Sequence, residues 1–235
     1  MTAPVEVLDW DSEHFGVRIG RVPSGRLDAQ SAGAVLAAAE EAQVACLYLL
    51  AAADDQDTVR AAEDAGFRLT DVRLTLDRPA SADVLAHPDV RAAVPGDVGA
   101  LAPIAADAHT DSRFFADPRF DRAAAARLYE RWIEASVAGD FADLAFTALA
   151  DGAPCGYITG RSGDEASIGL LGVGAAARGR GLGPQLVAAF VAAAARAGAE
   201  RVSVVTQGRN VQAQRLYQRA GFRTARVELW YHRWA

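Results

Sequence analysis

Asn210-Val211-Gln212-Ala213-Gln214-Arg215-Leu216-Tyr217-Gln218-Arg219-Ala220-Gly221-Phe222 is the stretch on which the fold turns, read together with Arg178-Gly179-Arg180-Gly181-Leu182-Gly183 upstream. The upstream run lies between an apolar strand, Ser167 to Val173, and an apolar helical segment, Pro184 to Ala197, which Gly198 stops. Glycines 179, 181 and 183 let the backbone approach a ligand closely, and a helix starting at Pro184 adds free N–H groups and the positive end of its dipole. That combination binds anions, and Arg178 and Arg180 add charge at its rim. Downstream, Arg201 to Thr206 reads as a strand, Val211 to Ala220 as a helix and Phe222 to His232 as the closing strand.

Three readings compete for the loop. A dinucleotide loop needs a third glycine where Pro184 stands, and an acidic residue where the next strand ends in Thr206-Gln207. A nucleotide-triphosphate loop needs a lysine, and all 24 basic residues of this chain are arginine. A tight turn without a ligand stays open on the loop alone.

Further out, the chain repeats itself. Ala65-Gly66-Phe67-Arg68 returns as Ala220-Gly221-Phe222-Arg223, an offset of 155 positions at which Val72 meets Val227, Leu74 meets Leu229 and Arg78 meets Arg233. The apolar run Leu47 to Leu50 falls on Val202 to Val205 in the same register. Arg78-Pro79-Ala80-Ser81 and His87-Pro88 interrupt the pattern, which places a join near residue 80. Beyond it we expect a strand at Val90 to Val94, a helix capped by Asp97 and running towards Asp107, and a second helix over about 122 to 138. Asp151-Gly152 between alternating residues predicts a hairpin of Phe146 to Leu149 with Cys155 to Thr159.

The 235 residues suffice for a sizeable core, with 51% hydrophobic and 23% charged residues. A net charge of -6 argues against nucleic acid as the partner. Cys46 and Cys155 form neither a disulfide framework nor a metal set, so no metal is expected and a reduced cytoplasmic setting is. Met1 to Glu6 does not read as a leader, and no apolar run reaches the roughly 18 residues of a membrane span, so no membrane role is expected.

Arg178-x-x-Gly181-x-Gly183, Asn210, Leu216-Tyr217 and Gly221-Phe222 together resemble the signature of the GNAT superfamily of acyl-CoA N-acyltransferases, over about residues 88 to 235. The resemblance implies an α/β GNAT fold with a mixed, mostly antiparallel central sheet that opens between strands ending near Val173 and Thr206. Pantetheine would pair with the backbone of Leu171, Gly172 and Val173 like an added strand. The pyrophosphate would meet Arg178, Gly179, Arg180, Gly181, Leu182 and Gly183, and Asn210 would bond the pantetheine amides. Acetyl-CoA is then the co-substrate, and Tyr217 the acid that protonates the departing thiolate. The base stays open among Glu165, Asp111, His109, Glu228 and His232. Residues 1–80 would be a partial, degenerate GNAT-like half domain and residues 88–235 the catalytic domain. At the repeat offset Ala62 stands for Tyr217, Asp55 for Asn210 and Arg26 for Gly181, so one site per chain is expected.

Leu8 to Gly16, His109 to Pro118 and Leu229-Trp230-Tyr231-His232 look like the nucleotide-amino-sugar acetyltransferases typified by dTDP-fucosamine N-acetyltransferase. That similarity implies direct attack by a primary amine of a small metabolite in a ternary complex. It assigns His109, Asp111, Arg113 and Phe114 to the acceptor, with Arg119 and Arg122 nearby, and allows a homodimer. The acidic total charge equally suits a cationic acceptor, such as an amine antibiotic or a peptide N-terminus. A non-catalytic acyl-CoA-binding regulator is the reading from another class.

Overall fold

The computed structural model describes residues 3–83 and 87–235; Met1 and Thr2 of the N-terminal stretch read above lie outside the described residues. The first part of the chain forms β1 (Glu6–Val7), α1 (Asp9–Phe15), β2 (Ile19–Arg21), α2 (Ser31–Glu41), β3 (Cys46–Ala52), α3 (Gln56–Asp64) and β4 (Arg68–Pro79). The second part forms β5 (Val90–Ala92), α4 (Val98–Ala108), α5 (Arg113–Ala116), α6 (Arg122–Ala138), β6 (Leu144–Ala150) and β7 (Ala153–Arg161). It ends with β8 (Glu165–Val173), α7 (Leu182–Arg196), β9 (Arg201–Gln207), α8 (Val211–Arg219) and β10 (Arg223–Trp234).

Local chemistry accounts for most of these boundaries. Asp151 and Gly152 both take positive φ, 53° and 80°, as a two-residue hairpin turn between β6 and β7 requires. Gly198 sits at φ 97° beyond α7. Two expectations shift. The helix after the glycine loop begins at Leu182, two residues before Pro184, whose missing N–H falls in the unbonded first turn. Asp97 precedes α4 without a side-chain cap bond, because its carboxylate takes two bonds from Arg91, at 2.7 and 2.8 Å, and one from Val94 N at 2.9 Å. The short helix α5, inside the segment joining α4 to α6, was not read from the sequence.

The ten strands among the described residues form one sheet in the order β1-β2-β3-β10-β4-β9-β8-β7-β6-β5. Among the described residues only β2 with β3 and β8 with β9 pair in parallel. The sheet is thus mixed and mostly antiparallel, as expected. The last strand of the chain, β10, lies between β3 and β4, and β4 in turn lies between β10 and β9. The pairing has internal symmetry. At an offset of 155, Cys46–Ala52, Gln56–Asp64 and Arg68–Pro79 coincide with Arg201–Gln207, Val211–Arg219 and Arg223–Trp234 end for end. In the β10–β4 ladder Arg223↔Asp77 is matched by His232↔Arg68, and Val227↔Leu74 by Leu229↔Val72. The irregularities of that ladder omit Ala225 and Thr70, which are equivalent positions. A pseudo-twofold axis therefore passes through Arg73↔Glu228, a pair joined by a 2.6 Å ion pair.

Apolar packing follows the two faces. Leu76, Ile168, Leu186, Phe190, Val202, Val204, Tyr217 and Phe222 fill the layer beneath α7 and α8. Leu101, Phe114, Phe120, Leu128, Ile133 and Tyr157 pack under α4 to α6, and Tyr48 and Trp230 join them from the first part of the chain and from β10. A third cluster around Leu47, Leu49, Phe67 and Tyr231 anchors α2 and α3.

Because both neighbours of β10 come from the first eighty residues, a fragment spanning 88–235 would leave β10 with no partner strand and β9 with a bare edge. That fragment is expected to give no cooperative thermal transition, and addition of the 1–80 segment to restore one. A fragment that melts like the full chain would contradict the strand order.

Candidate active site

The strands β8 and β9 pair only from Glu165↔Arg201 to Ile168↔Val204, and beyond that point they separate. Past the separation β9 stays a strand because β4 holds its other edge, with Val205↔Thr75, Thr206↔Leu74 and Gln207↔Arg73. The facing backbone of β8 beyond Ile168 has no strand partner on that edge, which leaves donors and acceptors for a ligand. A cavity of about 830 Å³ occupies the opening and is lined there by Leu171, Gly172 and Val173.

The glycine loop closes one end of this cavity. Gly179 and Gly181 take φ of 81° and 80°, which residues with a Cβ adopt at a cost of about 1–2 kcal/mol, and Gly181 is the N-cap of α7. Gly183 differs: a Cβ there would lie 3.4 Å from Leu216, an ordinary van der Waals contact, so no close approach requires glycine at that position. Gly179, Gly181, Leu182 and Gly183 all line the cavity beside the free amides of α7. Arg178 lines it too and donates from Nε to the Val173 carbonyl at 3.2 Å. Arg180 instead lies 3.6 Å from Asp151 on the exposed hairpin and is not part of the lining.

The opposite wall is α8. Asn210 caps this helix by accepting from Ala213 N at 2.9 Å and also borders the cavity. Its counterpart Asp55 caps α3 in the same way, on Thr58 N at 3.1 Å. Ala213, Leu216 and Ala220 face the cavity, while Tyr217 is 4% exposed, in edge contact with Phe222 at 5.6 Å, and does not itself form the lining. Burial raises its phenol well above the ordinary tyrosine value, so it is protonated at every physiological pH. Ala62, at the equivalent place in the first part, is fully buried and has no group to offer.

The segment after α4 divides. Asp111 and Thr110 reach the cavity. His109 turns inward, stacks on Tyr129 at 4.4 Å and meets the Tyr157 hydroxyl at 2.8 Å; burial lowers it to about 4, so the ring is neutral. Tyr157 lies across Gly172, where a Cβ would come within 2.7 Å of its ring and hydroxyl. His109 thus supports the wall of β8 from behind. Phe114 is buried in the aromatic layer. Arg113 stands over the rings of Tyr48, Phe114 and Trp230 at 4.0, 4.2 and 4.4 Å and bonds His232 Nε2 at 3.0 Å. Arginine only donates, so His232 Nε2 accepts and its Nδ1–H donates to Asp117 Oδ2 at 2.7 Å. Burial lowers His232 to about 4, against the raising effect of Asp117. Of the other open base candidates, Glu228 is held by Arg73, and Glu165 begins β8 at the paired end, away from the opening.

One acidic residue was not singled out from sequence. Asp71 lies in β4 next to the irregularity at Thr70 and opposite Trp230, hence on the α4–α6 face of the sheet. It is 4% exposed, and Arg209, the residue before Asn210, approaches it to 3.5 Å. Burial raises its carboxyl to about 6, with the Arg209 charge opposing and the Asp111 charge adding to the shift. Nothing local in the sequence marks it, since its burial depends on β10 and on the α4–α5 segment.

Residues 106–222 match the model of the Acetyltransferase (GNAT) family. The chain is 33% identical over 141 residues to the spore coat polysaccharide biosynthesis protein SpsD of Bacillus subtilis (strain 168), across 60% of this chain and 48% of that protein. It therefore spans about half the length of that relative. It is 28% identical over 234 residues to the dTDP-fucosamine acetyltransferase of Escherichia coli O6:H1 (strain CFT073), covering 98% of each. The solved GCN5-related N-acetyltransferase of Kribbella flavida shares the fold, with a TM-score of 0.67 at 18% identity over 99% of this chain and 87% of that one.

Two outcomes follow from these local geometries. Gly181→Val, which places a β-branched residue at φ 80°, is expected to weaken coenzyme A binding at least about tenfold in calorimetry while leaving the melting temperature within a few degrees; unchanged affinity would contradict the loop's role. The Asp71 carboxyl titrates higher folded, at about 6, than its ordinary 3.8. The folded state holds more protons in that window, so its contribution to stability is lost as pH rises from about 4 to 6. Asp71→Asn should then raise the melting temperature at pH 7.5 relative to wild type by more than it does at pH 4.

Proposed function

We propose that this chain, a member of the GNAT acetyltransferase family, is an acyl-CoA-dependent N-acyltransferase that moves an acetyl group from acetyl-CoA to a primary amine of a small metabolite, a nucleotide-linked amino sugar. The observation that carries this reading is the end of β8–β9 pairing at Ile168↔Val204, in front of a helix N-terminus whose amides are free. Pantetheine would extend β8 along Leu171 to Val173, the pyrophosphate would rest on the amides of 179 to 183 with Arg178 at the rim, and Asn210 would hold the pantetheine arm. The acceptor class is supported by similarity over nearly the whole chain to a dTDP-fucosamine acetyltransferase and by the polysaccharide-related name of the second relative. Residues 88–235 would be the catalytic domain, and residues 1–80 a degenerate copy that supplies β3 and β4.

Amide formation needs a neutral amine, a polarised carbonyl and a proton for the departing thiolate. Asp71, poised near neutrality, would take one proton from the acceptor ammonium, directly or through a water. The freed lone pair forms the C–N bond at the thioester carbonyl, and the carbon–sulfur bond breaks as the sulfur takes the Tyr217 proton. The second ammonium proton replaces the one that Tyr217 gave. Asp111 at the cavity rim would help to hold the ammonium before transfer, with His109 and Phe114 shaping the wall behind it and Arg113 fixing the α5 segment.

Tyr217→Phe should lower kcat about 10²–10⁴-fold in an assay of thiol release from acetyl-CoA, with coenzyme affinity retained. Turnover equal to wild type would remove Tyr217 as the acid. In the wild type kcat/KM should decline as pH falls through about 6, because a protonated Asp71 accepts no proton. Asp71→Asn should lack that limb and lose about 100-fold in kcat/KM; a variant that keeps the limb would exclude Asp71 as the base.

A further inference from the structure

A second cavity, of about 370 Å³, lies between the start of β4, the turn after α5 and the end of β10. Three arginines from three separate elements border it: Arg68 of β4, Arg119 after α5 and Arg209 between β9 and α8. Such convergence is unexpected in a protein of net charge -6. The one carboxylate among the described residues of its lining, Asp117, is ionised and already engaged by three donors, with Oδ2 accepting from His232 Nδ1 at 2.7 Å and Trp234 Nε1 at 2.8 Å and Oδ1 accepting from Arg119 N at 3.0 Å. His232 is held neutral by burial and adds no charge. Among the described residues neither Arg68 nor Arg119 forms an ion pair, and Arg119 is steadied only by lying 5.6 Å over the Trp234 ring. Arg209 alone is engaged, donating to the Thr70 carbonyl at 2.5 Å beside Asp71.

We propose that this cavity binds the diphosphate of an anionic acceptor, with Arg68 and Arg119 as the guanidinium donors and Arg209 as the link to the reacting centre. The inference rests on the acyltransfer reading above and fixes the sign of its acceptor. Planar guanidinium groups suit phosphate oxygens by paired N–H donation, whereas an amine antibiotic or a peptide N-terminus would meet the two unpaired guanidinium groups of Arg68 and Arg119 here. Position agrees with charge. Arg209 precedes Asn210, which borders the coenzyme cavity, and Arg209 itself lines the second cavity and lies 3.5 Å from Asp71. An acceptor anchored by phosphate at Arg68 and Arg119 would thus carry its amine past Arg209 towards Asp71.

The test is calorimetry on the full chain, first saturated with coenzyme A so that the diphosphate of the coenzyme does not compete. Uridine diphosphate, thymidine diphosphate, the free nucleosides and inorganic phosphate are the probes. At least one nucleoside diphosphate should bind, its nucleoside should bind at least about tenfold more weakly, and Arg68→Ala and Arg119→Ala should each weaken the diphosphate about tenfold. Arg119→Lys should recover part of the loss. Absence of diphosphate binding in the wild type, a double Arg68→Ala/Arg119→Ala variant that binds as the wild type does, or inorganic phosphate binding as tightly as the diphosphates would overturn the proposal. Coenzyme A affinity in the first titration reports separately on the acyltransfer reading and should be the same in all variants.

Discussion

Everything at the candidate site depends on two parallel strands parting while one of them is held straight. β8 and β9 share a ladder only as far as Ile168↔Val204. Freed strands in a twisted sheet would ordinarily close up or fray, since unpaired backbone groups away from water are costly. Here β4 keeps its full ladder to β9 through Gln207↔Arg73, so β9 cannot follow β8, and β7 keeps β8 in place through Gly156↔Val173. The gap is therefore built into the ladder. A loop with Gly179 and Gly181 in the left-handed region then delivers the free end of α7 to the mouth of that gap.

The strand that keeps the gap open, β4, comes from the first eighty residues of the chain. β3, α3 and β4 superimpose in number on β9, α8 and β10, with an axis through the Arg73–Glu228 pair, yet only one half carries the tyrosine and the glycine loop. In the first half β4 pins β9, Tyr48 faces Arg113, Arg68 borders the smaller cavity and Asp71 lies 3.5 Å from Arg209. Interleaving of β10 between β3 and β4 makes the two halves one sheet.

Features governed by short stretches of chain were legible in the sequence. The glycine loop, the Asp151-Gly152 hairpin, the stop at Gly198 and the 155-residue offset all reappear in the structure with boundaries shifted by a few residues at most. Features that depend on distant partners were not. Arg113 and Phe114 read as acceptor groups but pack inward, because Tyr48 and Trp230 from β3 and β10 offer them aromatic faces. His109 read as a possible base, and burial against Tyr129 and Tyr157 makes it a neutral prop for the β8 wall. Asp71 carried no signal at all, for its burial and raised pKa arise only once β4 lies between β9 and β10. Arg180 shows the same limit on a smaller scale: the motif places it beside the phosphates, and the fold turns it towards Asp151.

Backbone amide exchange measured with and without acetyl-CoA tests the central claim most directly, because the account assigns the coenzyme to particular N–H groups and not merely to a cavity. It predicts slowed exchange at Leu171 to Val173 and at Gly179 to Gly183, with the equivalent positions of the first half, near Arg26 and Asp55, unchanged. Slowing confined to other segments, or none at saturating acetyl-CoA, would contradict it.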